Sequence, residues 1–366
     1  MATTIIIGGG IVGLSVAYGL LKAGKEVIVL DGTDDDFRAS RGNFGLIWIQ
    51  GKGGPKAPHY ATWSKRSAAL WDGFADDLLK ETGVDVAYSK MGGIDFFTEE
   101  TELEKRVETY NSLRDALDED YPFDVLEHNE LKKRVPEIGN KVVGGIYSPM
   151  DGHVNPLLLL RALSIAVRKA NGTIVTGVKV VDINAHDHDF NVVLADGTNV
   201  EGDRVVLAAG LGAIELGQKL GFKAPIRPQQ GQVLITEKLP FFLRYPSSTI
   251  RQVNEGGVQI GASKAEIGLN DSEDIATSAA LAQQAIDIFP HLGNVKLVRS
   301  WAALRIMSPD GLPIYQHSPI ASGASFITCH SGITLSAIHA RLLPDWILKG
   351  DNELDLSHFS EDRFNV

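Results

Sequence analysis

The chain has 366 residues, 44% of them hydrophobic and 22% charged, with a formal net charge of −11 and a pI near 5.4. That length supports a large core divided between two domains, and the acidic balance argues against broad attraction to nucleic acid or anionic lipid while leaving room for a local basic pocket. A single cysteine, Cys329, excludes an internal disulfide framework and a cysteine-cluster metal site, so no metal is expected.

Residues 5–31 read IIIGGGIVGLSVAYGLLKAGKEVIVLD. An apolar strand runs into Gly8-x-Gly10-x-x-Gly13, an amphipathic helix follows, and a second strand over 27–30 ends on Asp31. Each part suits a bound dinucleotide. Gly8 allows a tight turn, Gly10 lets the backbone approach a pyrophosphate, and Gly13 brings the helix close to the strand. The free N–H groups at the helix start, around Ile11 and Val12, favour phosphate. Asp31, 18 residues beyond Gly13, is placed for a carboxylate that accepts both ribose hydroxyls, and an acid there disfavours NADP. With the first strand beginning near residue 4, no length remains for a signal peptide. No apolar run approaches the roughly 18 residues of a membrane span, and a cytoplasmic location is expected.

A glycine-rich loop occupies 39–54. Residues 59–81 predict a helix whose apolar positions include Tyr60, Trp63, Ala68, Leu70, Trp71 and Leu78. Residues 91–98 predict a strand, and 99–119, with interspersed charges of both signs, an exposed helix. Asn155 before Pro156 marks a helix start, with the helix running to about residue 169. Strands are expected at 173–183, 190–195 and 204–209. From about 222 to 300 the alternating segments QVLIT, STIRQV, GVQIGAS and KLVRSWAA predict antiparallel strands with one covered face, interrupted by a helix near 274–289. A strand at 325–329 and a helix over 333–349 close the chain. The pattern predicts an α/β protein. A Rossmann-like nucleotide domain is built from 1–88, 140–220 and 300–366, with an inserted α+β, mostly antiparallel substrate domain from 89–139 and 221–299.

Three further segments choose the dinucleotide. They are Ala39-Ser40-Arg41-Gly42-Asn43-x-Gly45, the run VVLAAG ending at Gly210, and Trp301-Ala-Ala-Leu-Arg305-x-x-Ser-Pro-Asp-Gly311-Leu-Pro313 followed by Cys329-His330-Ser331-Gly332-Ile333-Thr334-Leu335. In this order the chain resembles, nearly end to end, the D-amino acid oxidase, glycine oxidase and sarcosine oxidase family of FAD-dependent oxidoreductases. The resemblance implies FAD lying extended, with its pyrophosphate on the Gly8–Gly13 turn and its ribose at Asp31. Ser40, Arg41, Asn43, Gly45 and Leu46 then meet it from the loop, the backbone of Val178 meets the adenine, and Ala209 and Gly210 close against it. Ser331, Gly332, Ile333 and Thr334 would turn into a helix whose dipole faces the flavin's pyrimidine edge and favours its reduction. Ser331 and Gly332 also suit an ordinary helix start. The tryptophan-to-arginine segment carries no cysteine, so the FAD is expected to be non-covalent.

Arg305 follows an apolar run and so emerges from a buried strand, where a guanidinium needs an anion. In the family the arginine at this place in the motif binds a substrate carboxylate; a structural ion pair is the alternative. Arg251 shares one face of the 248–253 segment with Thr249. Whether that face turns inward is open, and two inward arginines would suit a dicarboxylate. Gln259 stands roughly where related oxidases carry an oxygen-activating lysine, which puts O2 in doubt as the acceptor; Lys52 and Lys264 could replace it or be surface residues. His330 is placed near the pyrimidine side or is a core histidine. Trp48, Gln50 and Lys52 either shape the pocket or, for Trp48, the core. No catalytic acid or base is nominated, because hydride transfer to flavin N5 needs position and electrostatics.

The expected activity is FAD-dependent oxidation of the C–N bond of a small carboxylate-bearing amine, such as glycine, a D-amino acid, sarcosine or iminodiacetate, to an imine that water hydrolyses. The alternative is an amino-acid or opine dehydrogenase subunit that hands electrons to an acceptor other than O2. A partner subunit or a second copy of the chain fits either reading.

Overall fold

Along the strand Thr3–Ile7, Ile5 and Ile7 enter one apolar cluster and Ile6 another, since successive side chains leave a strand on opposite faces. A strand covered on both faces belongs in the middle of a sheet. In the computed structural model, which describes residues 2–32, 39–117, 120–186, 189–261, 263–350 and 354–364, that is where it lies. The six-stranded sheet has the order Ile314–His317, Ala324–Thr328, Arg204–Leu207, Thr3–Ile7, Glu26–Asp31, Thr173–Thr176. All neighbours are parallel except Ile314–His317, an antiparallel edge strand.

The helices Ile11–Lys22, Pro58–Thr82, Pro156–Lys169 and Ser336–Arg341 share the cluster on the Ile6 face, together with the buried Tyr18, Trp71 and Phe74. Asn155 caps the third of them, its Oδ1 accepting from the N–H groups of Leu157 and Leu158 at 3.0 and 3.2 Å. The Ile5 face is covered by an antiparallel sheet of Val180–His186, Asp189–Leu194 and Asn199–Gly202, and by the helix Ala213–Lys219.

The second half of the molecule carries two antiparallel sheets. One orders Ile250–Gln252, Val258–Ile260, Arg227–Thr236 and Leu297–Met307; the other orders Gly93–Phe97, Gly144–Ser148 and Asp124–Glu127. Residues of both contribute to a third cluster, with Phe289 at 0% exposure. This is the α/β fold with an antiparallel companion that the pattern predicts. Pairing of Gly144–Ser148 with Gly93–Phe97, and of Leu297–Met307 with Arg227–Thr236, crosses the expected boundaries at 140 and 300.

Three local expectations change. The strand expected at 173–183 is two strands in two sheets, Thr173–Thr176 and Val180–His186, because Gly177 at φ +83° turns the chain between them. The closing helix expected over 333–349 is a turn followed by two short helices, Ser336–Arg341 and Leu343–Lys349. The Thr334 carbonyl is taken by Ser67 Oγ and Trp71 Nε1 at 2.6 and 3.1 Å, while the Ile338 N–H donates to Ser67 Oγ instead; Pro344 then breaks the ladder. Residues 331–334, where the helix dipole is expected, therefore form a turn and not the start of a regular helix. The helix expected over 99–119 spans Glu100–Ala116 and is not wholly exposed: Tyr110 and Leu113 are buried. Glu119 lies outside the described residues.

Candidate active site

The first element of the site is the glycine turn at the carboxyl end of the central strand. Gly8 has φ +113°, and a Cβ there would sit 2.3 Å from the carbonyl oxygen of Ala208. A Cβ on Gly13 would lie 1.9 Å from the Gly8 carbonyl oxygen. Strand, turn and helix thus pack backbone against backbone. Two remote side chains lock the turn. Asp31 Oδ1 accepts from the Gly9 N–H at 2.9 Å, and Ser40 Oγ accepts from the Ile11 N–H at 3.0 Å. The central strand has Glu26–Asp31 on one side and Arg204–Leu207 on the other, the switch point at which open α/β sheets hold dinucleotides. A close-packed glycine turn that opens a helix at this switch point fits a pyrophosphate. Ala209 and Gly210 (φ +57°) continue from Arg204–Leu207 beside Gly8, and Val178 lies in the turn after Thr173–Thr176.

Next to this turn lies a cavity of about 640 Å³. It brings together Ile11, Val12, Ser40, Asn43 and Leu46 with Ser331, Gly332, Ile333, Thr334 and Arg305. A Cβ on Gly332 would stand 3.3 Å from Val12 Cγ2, so the 331–334 turn sits directly on the first helix. Thr334 Oγ1 accepts from the Trp48 N–H at 3.1 Å and donates to the Leu46 carbonyl at 3.3 Å, which ties that turn to the loop after Asn43. Gly8, Gly10, Gly13, Asp31, Arg41, Gly45, Val178, Ala209 and Gly210 are not among the lining residues.

Arg305 enters from the long strand Leu297–Met307. Its guanidinium lies across Gly231, where a Cβ would be 2.4 Å from Arg305 Cζ. Nη1 donates to the carbonyls of Gln230 and Ser263 at 3.1 and 2.8 Å. Among the described residues, Nε and Nη2 have no hydrogen-bond partner and no carboxylate lies within ion-pair distance. Burial pushes its pKa down, the mark of a cation lacking its anion. One corner of the fork is fixed and Arg305 lines the cavity, which suits capture of a carboxylate by its remaining donors.

Arg251 is different. It is 2% exposed, and it lies behind the loop instead of lining the cavity. Nε donates to Gln259 Oε1 at 2.7 Å, and Nη1 donates to the Val154 carbonyl at 2.9 Å and lies 3.3 Å from His153 Nδ1. A Cβ on Gly45, at φ +87°, would lie 2.7 Å from Nη2. The question left open for Arg251 is answered by its place: it does not line the cavity with Arg305, and strand alternation could not tell a cavity from a packed loop. Burial lowers the Arg251 pKa to about 9 and, with the guanidinium beside it, that of His153 to about 3. Thr249 is half-buried outside the cavity, and it is its neighbour Ser248 that lines the wall. Gln259 is engaged by Arg251.

Other cations take the place that Arg251 leaves. Half-buried Lys52 donates to Ser331 Oγ, which also accepts from Tyr60 OH at 3.0 Å. Burial and Lys264 pull the Lys52 pKa down to about 8. Lys264, Trp48, Gln50, Cys329 and His330 border the same cavity. His330 is exposed, but the protein around it and the charges of Lys52, Arg305 and Lys264 lower its pKa to about 3, so it is a neutral imidazole at ordinary pH. Buried Asp151 holds the Trp48–Lys52 segment: Gln50 Nε2 donates to its Oδ2 at 2.8 Å and the Ile49 N–H donates to its Oδ1. Burial raises its carboxyl to about 7. The helix Glu100–Ala116 adds Arg106, Thr109, Tyr110 and Leu113 to the wall. Their spacing of three and four marks one helix face, a signal hidden in a helix that reads as solvated.

The fold and cavity define a flavin-type oxidoreductase, and comparison with known proteins agrees. The model of the FAD dependent oxidoreductase family matches residues 3–346, and the chain belongs to that family, whose members are FAD-dependent enzymes acting on amino acids and related amines. It is 41% identical over 362 residues to an opine oxidase subunit of Agrobacterium tumefaciens, covering 99% of this chain and 97% of that one, and equally similar to its counterpart in Rhizobium meliloti. Glycine oxidase of Geobacillus kaustophilus is 25% identical over 363 residues, covering 97% and 95% of the two chains. Its crystal structure matches this fold with a TM-score of 0.90 at 24% identity and 98% coverage of each chain, and that of iminodiacetate oxidase from Chelativorans sp. BNC1 with 0.85 at 20% identity and the same coverage. Among the described residues, no helix is long and apolar enough to cross a membrane.

Proposed function

We propose that the protein oxidises the C–N bond of a small secondary amine carrying two carboxylates, an N-carboxyalkyl amino acid of the opine or iminodiacetate kind. The observation that carries the carboxylate in this reading is Arg305, a half-buried guanidinium that lines the cavity with one Nη fixed by two carbonyls; the second carboxylate is supported by the likeness to an opine oxidase subunit. A substrate carboxylate on that fork is held at a defined distance and angle, which is the protein's main contribution to such a reaction. Bound FAD supplies the hydride acceptor. The imine product is hydrolysed by water to an oxo acid and an amine.

In this reading FAD is held non-covalently. Gly8, Gly10, Ile11, Val12 and Gly13 take its pyrophosphate and Asp31 its ribose. Ser40, Arg41, Asn43, Gly45, Leu46, Val178, Ala209, Gly210 and the 331–334 turn flank the rest. The parallel-sheet part of the chain serves the cofactor, and the antiparallel sheets cover the substrate. Neutral His330 and cationic Lys52 set the polarity of the wall, and no side chain is needed as a general base if the amine arrives uncharged. Electrons leave to an acceptor other than O2, in a complex with another subunit. This is supported by the 41% identity to a relative that is itself one subunit of an opine oxidase, and by the engagement of Gln259 with Arg251.

The test is anaerobic. FAD-loaded protein is mixed with iminodiacetate, sarcosine, glycine and D-alanine, and bleaching of the yellow flavin is followed. Bleaching fastest with iminodiacetate is expected, with slow reoxidation in air. No bleaching by any of the four would refute the reading.

A further inference from the structure

Three cationic side chains border the cavity without a carboxylate within ion-pair distance among the described residues: Arg305, Lys52 and Lys264. Two of them already have fixed duties. Arg305 offers its open fork to one carboxylate, and Lys52 is tied to Ser331 Oγ. The Lys264 ammonium makes no hydrogen bond to the described residues, yet its backbone is held on both sides. The Ser263 carbonyl accepts from Arg305 Nη1, and Ser263 Oγ accepts from the Gln232 N–H at 2.7 Å. Ala265 exchanges two backbone hydrogen bonds with Gln230, at 2.9 and 3.0 Å. The residue between them therefore projects from a clamped stretch of chain next to the anchor of Arg305. All three charges are near enough to act on His330, and Lys264 acts on Lys52 as well. Like charges gathered at one wall repel each other, and an anion shared among them relieves that cost.

We propose that Lys264 is the anchor for a second substrate carboxylate, so that the pair Arg305 and Lys264, and not Arg305 and Arg251, makes this cavity selective for dicarboxylate amines. The proposal rests on the amine-oxidising reading above and names the residue that sets its substrate class. Arg305 suffices for a monocarboxylate such as sarcosine; Lys264 then stays in water. A second carboxylate reaching Lys264 exchanges that water for a charge-assisted hydrogen bond.

The experiment separates binding from turnover. FAD-loaded wild type, Lys264→Met and Lys264→Arg are titrated with thiodiacetate and (methylthio)acetate, dicarboxylate and monocarboxylate analogues that lack the oxidisable nitrogen. Calorimetry and the flavin's visible spectrum report binding. Turnover of iminodiacetate and sarcosine is measured alongside. Wild type should bind thiodiacetate at least about tenfold more tightly than (methylthio)acetate. Lys264→Met should narrow that ratio to roughly threefold or less without weakening (methylthio)acetate, and Lys264→Arg should keep most of it. A Lys264→Met protein that retains the full preference, or loses both ligands equally, overturns the assignment of Lys264 while leaving the dicarboxylate reading in place. A wild type without preference for the second carboxylate, in binding and in turnover, overturns both. Bound flavin and an unchanged melting temperature verify that each variant is folded.

Discussion

Gly8, Gly13 and Asp31 fall within one βαβ unit, where Gly8 and Gly13 pack backbone to backbone and Asp31 takes a 2.9 Å hydrogen bond from the Gly9 N–H between them. Arg305, Lys52, Lys264 and His330 reach one cavity from four separate stretches of chain. The cradle is close-packed and tolerates no added atom, whereas the cation wall is loosely paired and short of anions. The first region is built to hold one thing in one place. The second is unfinished electrostatically until something negative arrives, and this is what makes it the place to look for specificity.

The rigid side of that contrast is tested most severely by Gly13→Ala. Its Cβ would lie 1.9 Å from the Gly8 carbonyl oxygen, a backbone atom that cannot yield as a side chain does. The variant should purify without FAD and lose about 3 kcal/mol or more of stability, read as flavin content and melting temperature. A yellow protein melting like wild type would mean the turn is not the cradle.

On the loosely paired side, Arg305→Ala should keep its FAD and lose roughly 30- to 5,000-fold in kcat/KM, corresponding to about 2–5 kcal/mol for a desolvated charge pair. Arg305→Lys should recover little, since a point charge cannot reproduce the fork. Normal turnover by Arg305→Ala would dissolve the distinction between the two regions.

The contrast also explains which features are legible in the sequence. The glycine spacing and terminal acid are legible because strand, turn, helix and acid follow one another within 31 residues, even though Gly8 also packs on the distant Ala208. Arg305 is legible because an apolar run delivers it, although the strand expected to be buried is exposed at its start and half-buried around Arg305. Arg251 lies on a strand whose alternation is plain, yet a face is not a depth: only Gly45 and the Val154 carbonyl, brought close by the fold, reveal that the guanidinium is enclosed. The late start of the Ser336–Arg341 helix depends on Ser67 and Trp71, more than 260 residues away. The wall formed by Arg106, Thr109 and Tyr110 is hidden in a helix whose charges read as solvated. Gly177, in contrast, is a visible break in an expected strand.

Arg251→Ala sharpens the comparison from inside the loop. Removing the side chain strands Gln259 Oε1 and the Val154 carbonyl, and should cost about 1–3 kcal/mol of stability. Turnover of iminodiacetate and sarcosine should fall by the same factor. Selective damage to iminodiacetate would return Arg251 to the substrate pocket.

The smallest expected effect is a pH dependence. Lys52 has its folded-state pKa lowered from 10.5 to about 8, so it loses its charge as pH rises through about 8, while an unfolded lysine still holds its proton. Stability should therefore increase modestly with pH between about 8 and 10.5, because the unfolded chain binds more protons there. Affinity for thiodiacetate should fall over the same rise through about 8, since the cavity loses a positive charge. Lys52→Met should abolish both trends, and a binding curve flat through that range in wild type would remove Lys52 from the cation wall.

The central claim, that this cavity selects its amine by a carboxylate, is tested most directly by anaerobic reduction of the bound flavin with iminodiacetate and with diethylamine. The two share a secondary amine and the C–N bonds to be broken, and differ in having carboxylates or methyl groups at the ends. Saturable bleaching by iminodiacetate with none by diethylamine at the same concentration is the expected result. Equal bleaching by both would contradict it.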